Sequence, residues 1–165
     1  NEKGIHVLMD ALLQSGIAML LMGQSYSASG AEHHLSHYWE MEFLRQNKRQ
    51  VLHGAKVGVS TPIIVEHYQR VFWPLLSELK QRPKSMDETI WERLKTYTDS
   101  IQELLESLPS PERIRAMVEK VGGAVAPQQL GIDPLLVERS LKEAHRLRLN
   151  RFTMLYCLNE CMLME

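Results

Sequence analysis

The sequence predicts an all-α fold, a multi-helix array of about seven helices, with residues 1–165 forming a single helical domain. Three observations predict it. Apolar residues recur at three- and four-residue spacing along most of the chain. Helix-start signals, a capping residue followed by proline, stand at Ser110-Pro111 and Asp133-Pro134. No stretch shows a sustained period of two, and 121–125, which comes nearest, is short and broken by two glycines.

The elements follow in order. Ile5, Leu8, Met9, Leu12 and Leu13 mark an amphipathic helix that runs on to about Met22. A loop rich in Gly and Ser covers 23–30, and a second helix runs from Ser29 or Gly30 to about Asn47. After a short basic connection at 48–52, helix is expected over 53–80, with Pro62 kinking it or restarting it behind Thr61 as N-cap. Ser85 and Glu88 have capping-box spacing and open a helix whose stripe is Ile101, Leu104, Leu105 and Leu108. Ser110-Pro111 starts another, with Ile114, Met117, Val118 and Val121 as its buried face and Gly122-Gly123 as its stop. Asp133-Pro134 starts the next, carrying Leu136, Ser140, Leu141 and Ala144, and a last helix is expected over 150–163.

Composition narrows the function. At 165 residues, 44% hydrophobic and 24% charged, the chain is ordinary for a globular domain with a real core. A net charge of −1 gives no electrostatic grip on nucleic acid. The apolar run at 17–22 is bounded closely by Ser15, Gly16, Gly23 and Gln24, so no membrane span is expected. Cys157 and Cys161 are too few for a disulfide framework; as reduced core thiols they favour a cytoplasmic home. The chain opens with neither an initiator Met nor a signal peptide, as a piece of a longer protein would. Met9, Met19, Met22 and Met41, and the three tryptophans, read as core filler.

The histidines carry the most information. Four of seven fall in a short window: His33, His34, His37 and His53. On a helix His33 and His37 share one face. Neutral imidazole is a common ligand for zinc, nickel and iron. An HxxxH pair also arises by chance on exposed helices. Here, however, Ser29, Gly30 and Ala31 allow a ligand to approach, and amides at the helix start suit an anion such as phosphate. Glu32 and Glu40 can accept from ring N–H groups, although Glu32 also suits the helix dipole. Lys56 reads either as a solvated charge or as a phosphate contact. His67 and His145 have no partner signature.

The segments 15–19, 29–40 (Ser-Gly-Ala-Glu-His-His-Leu-Ser-His-Tyr-Trp-Glu) and 52–59 (Leu-His-Gly-Ala-Lys-Val-Gly-Val) resemble the sn-glycerol-1-phosphate dehydrogenase family, bacterial branch. So does 148–153, Arg-Leu-Asn-Arg-Phe-Thr, which is similar to that family's C-terminal helix. The wider group is the iron-containing alcohol dehydrogenase and glycerol dehydrogenase superfamily, dehydroquinate synthase-like in its C-terminal domain.

The resemblance implies a two-domain enzyme, of which this chain is the helical C-terminal part and should be inactive on its own. It implies one divalent metal, nickel or zinc, with His33 and His53 as ligands beside an upstream Asp. It implies His37 as the catalytic side chain facing the substrate, with Ser29, His34 and Lys56 as substrate contacts. NAD(P) would be bound mainly by the N-terminal domain, since no glycine-rich pyrophosphate turn is present here. The implied substrate is a phosphorylated triose or glycerol: dihydroxyacetone phosphate and NAD(P)H would interconvert with sn-glycerol 1-phosphate. A homodimer is also implied. A related polyol dehydrogenase and a non-catalytic helical scaffold are the alternatives.

Overall fold

The structure is a computed structural model describing residues 1–148 and 151–162, the side chains of Tyr26 and Ser27 excepted. Among the described residues every regular element is helical, as the periodicity predicts. The chain divides into two compact units, Asn1–Gly30 and Ala31–Glu165.

The first unit is α1 (Glu2–Met22) with a short 3₁₀ turn, Ser25–Ala28. The Asn1 side chain caps α1 by accepting from the Gly4 amide at 2.8 Å. Gly23, at φ 64°, closes it in the left-handed conformation that glycine tolerates. The expected one-sided burial is absent: no residue of α1 is buried, and Leu8, Leu12, Leu20 and Leu21 are all exposed. Its 21 residues are also long and apolar enough to cross a membrane by length and composition, which corrects the reading of 17–22 alone. Ser15 and Gly16 interrupt the apolar run without lowering the mean enough to exclude a span. Core helices and signal sequences pass the same test.

In the second unit, α2 (Ala31–Arg45) and α3 (His53–His67) pack through Leu35, Trp39, Phe43, Val59 and Ile64. Ile132, Leu136, Ala144 and Leu155 complete that core. The Trp39 indole N–H donates to Ser140 Oγ at 3.0 Å, so its polar edge is satisfied inside. A second core gathers Phe72, Leu76, Met86, Leu94, Leu105 and Leu158 with the free thiols Cys157 and Cys161.

Several local expectations need correction. Pro62 does not restart the helix: α3 runs through it. Thr61 is not an N-cap; its hydroxyl donates back to the Val57 carbonyl at 2.8 Å. Burial of Val59, Pro62 and Ile64 holds the turn that lacks a proline N–H. Beyond α3 the winding loosens to a π turn, Tyr68–Phe72, and tightens again in α4 (Trp73–Glu78).

The Ser85–Glu88 box does not form. Asp87 caps α5 (Glu88–Thr96), accepting from Thr89 at 2.8 Å, while Ser85 donates to the Cys161 carbonyl. A break at Tyr97 separates α5 from α6 (Thr98–Ser107).

Ser110 and Asp133 do cap α7 (Pro111–Lys120) and α8 (Pro134–Glu143) as expected. The predicted buried face of α7 is covered only in part: Ile114 and Val118 are half-buried, whereas Met117 and Val121 are exposed. Met9, Met22 and Met41 are exposed too, whereas Trp39 lies fully in the core. The expected last helix is broken into α9 (Met154–Tyr156) and a π turn, Cys157–Met162, with 151–153 non-helical. Its predicted ends, Asn150 and Leu163, lie outside the described residues.

Candidate metal and substrate centre

The facing surfaces of α2 and α3 build the centre. On α2, His33, Ser36, His37 and Glu40 follow helical spacing i, i+3, i+4 and i+7, so one face carries all four. On α3, His53 opens the helix, and Lys56 and Ser60 follow on the face that meets α2. Ser60 Oγ donates to the Glu32 carbonyl at 2.8 Å and so ties α3 to the first turn of α2. The rigid backing of Leu35, Trp39 and Val59 lies behind both faces.

Three imidazoles come together. The His53 ring lies 5.1 Å from that of His33 and 5.2 Å from that of His37, centroid to centroid. His33 Nδ1 meets Glu32 Oε1 at 2.8 Å, and His53 Nδ1 meets Ser36 Oγ at 3.1 Å. Among the described residues both leave Nε2 without a partner, the arrangement that suits a ligating histidine oriented by an outer hydrogen bond.

His37 is engaged on both sides. Its Nδ1 lies 3.4 Å from Glu40 Oε2, and Arg148 Nη2 lies 3.4 Å from its Nε2. Donor atoms from His37, Glu40 and His53 also fall within 4.8 Å of one another. Distance alone therefore allows a His37–Glu40–His53 set. In that set His37 and Glu40 already meet Arg148 and Lys56.

Electrostatics fit neutral, ligand-competent rings. Burial, then the Arg148 charge, lowers the His37 pKa below the ordinary imidazole value. Burial, then His33 and Lys56, lowers that of His53. Lowered values keep the neutral form populated toward acid pH, and the neutral form is the one that binds metal. Burial opposes ionisation of Glu40, but Lys56 and His37 together hold its carboxyl below the usual carboxylate range.

The expected substrate contacts are spread differently. Lys56 is 1% exposed, with Nζ 3.4 Å from Glu40 Oε2. His34 is also 1% exposed, and among the described residues neither ring nitrogen finds a hydrogen-bond partner. Burial, aided by Arg151 and Arg148, holds its pKa down at about 4, so it is neutral. Ser29 belongs to the first unit, at the end of the Ser25–Ala28 turn. His145, given no role from the sequence, is a core residue paired with Glu160 at 2.7 Å.

Sequence reasoning missed Ser36 and Arg148. Ser36 shares the His33–His37 face and was findable by spacing. Arg148 reaches His37 from 111 residues away, which no local pattern signals.

No family model matches the chain. Among curated proteins it is 99% identical over all 165 residues to one from Geobacillus thermodenitrificans named glycerol-1-phosphate dehydrogenase, NAD(P)+. Proteins of the same name from Geobacillus stearothermophilus and Halalkalibacterium halodurans are 85% and 42% identical over 165 and 160 residues. The chain spans only 41%, 41% and 39% of these three relatives.

Proposed function

We propose, for a chain that belongs to the glycerol-1-phosphate dehydrogenase family as a segment of its members' length, that it forms the metal- and substrate-holding part of such an enzyme. The whole protein would interconvert dihydroxyacetone phosphate and sn-glycerol 1-phosphate with NAD(P), the nucleotide being held mainly outside this segment. The observation that carries the reading is the matched pair His33 and His53, each fixed at Nδ1 and open at Nε2.

The donor set fits a borderline divalent ion, nickel or zinc, held by the two imidazoles and completed by a carboxylate beyond this segment. Such an ion supplies Lewis-acid polarisation of the substrate oxygen. The chain's own residues do the rest. Glu32 and Ser36 orient the ligands. Glu40, anchored by Lys56, accepts from the Nδ1–H of His37 and leaves a lone pair at Nε2. There His37 takes the hydroxyl proton when the alcohol is oxidised and returns it when the ketone is reduced. Homodimerisation, a cytoplasmic setting and the absence of nucleic-acid partners belong to the same proposal.

Ser36 gives a test. Ser36→Ala in the full-length protein removes the hydroxyl that orients His53 and is expected to weaken zinc or nickel binding by roughly 10- to 100-fold. Competition with a chromophoric chelator measures it. Unchanged affinity would remove His53 from the ligand set.

A further inference from the structure

We propose that Arg148 is the residue that grips the substrate's phosphate, releasing His37 as it does so. This rests on the functional reading above, which calls for a cation beside the reacting carbon's phosphorylated arm.

Lys56, the cation expected from the sequence, is buried and committed to Glu40. Arg148 stands differently. It closes the 3₁₀ turn that follows α8, Ala144–Arg148, and is half-buried beside the histidines. Arg45, Arg70, Arg115, Arg139 and Arg146 each lie on a carboxylate. Arg148 has no carboxylate partner among the described residues; its hydrogen bond goes to the neutral ring nitrogen of His37, at a long 3.4 Å.

A guanidinium gains far more from a phosphate, which accepts two parallel N–H bonds, than from a single imidazole lone pair. Substrate would therefore draw Arg148 off Nε2 at the moment that His37 is needed for proton transfer. The exchange is one donor moving between two acceptors, and no bond to carbon changes in it. The neighbouring Arg151 and Arg148 both lower the pKa of buried His34, with Glu32 opposing them.

The test uses full-length protein loaded with metal, comparing wild type, Arg148→Lys and Arg148→Met on dihydroxyacetone phosphate and on unphosphorylated dihydroxyacetone. Loss of charge-assisted hydrogen bonds is expected to raise KM for the phosphorylated ketone by about 10- to 100-fold in Arg148→Met. Arg148→Lys, which keeps the charge but not the fork, should fall between. The preference for the phosphorylated over the plain ketone should drop by the same factor, and inorganic phosphate should inhibit Arg148→Met correspondingly less. An unchanged KM, or an equal loss on both ketones, would overturn the assignment and leave Arg148 as a structural neighbour of His37. Wild-type protein that favours the plain ketone would instead overturn the functional reading, and the phosphate role with it.

Discussion

His53→Ala in the full-length protein is expected to empty the metal site and abolish turnover to well beyond the 10- to 100-fold cost of losing an outer hydrogen-bond partner. His53 is the hub of the cluster, with both other imidazoles about 5 Å from its ring. Alanine removes a proposed ligand and leaves Ser36 with a lost partner, and nothing else on α3 replaces it. Lys56 is tied to Glu40 and carries the wrong charge for a cation site. The check is metal content after dialysis, read beside activity. His33→Ala should behave alike. His37→Ala should instead retain metal while losing turnover, because both nitrogens of that ring are already engaged. Loss of metal in His37→Ala with retention in His33→Ala would shift the ligand set to His37, Glu40 and His53.

Trp39→Ala carries the largest expected stability cost. The ring is fully buried where α2 meets α8. Removing it should destabilise the protein by about 3–5 kcal/mol, the usual range for a buried Trp-to-Ala change. Trp39→Phe keeps most of the volume and loses the bond to Ser140, at a cost of about 1 kcal/mol. Urea unfolding followed by far-UV circular dichroism separates the two. Equal, small losses would mean that α2 is anchored elsewhere. Because Trp39 lies on the same helix as His37 and Glu40, a loosened α2 should also blur the centre.

What the sequence made legible follows from how local each signal is. The caps at Ser110 and Asp133 are contained within four residues, so they could be read and they formed. His33 and His37 needed only helical geometry, and Glu32 and Glu40 lie against their Nδ1 atoms. The failures are those in which distant chain decides. Asp87 took the cap from Ser85 because Ser85 is drawn to the Cys161 carbonyl, 76 residues on. Pro62 stays helical because α2 and the surrounding apolar residues bury that turn. The apolar stripe of α1 predicted a face that this segment does not bury, and that of α7 one that it covers only in part. Periodicity says that a face is apolar, not that a neighbour covers it. Lys56 shows the same limit: it read as a solvated charge or a phosphate contact, and only the packing shows it buried with its charge on Glu40.

The most direct measurement is the metal content of the full-length gene product, with reduction of dihydroxyacetone phosphate by NAD(P)H assayed before and after chelation, and this 165-residue chain alone as control. The expected result is about one divalent ion per chain. Activity should be lost to chelator and restored by zinc or nickel, with no turnover by the segment alone. Metal-free full-length protein that neither reduces the ketone nor responds to added metal would contradict the account and leave the helical segment as a scaffold.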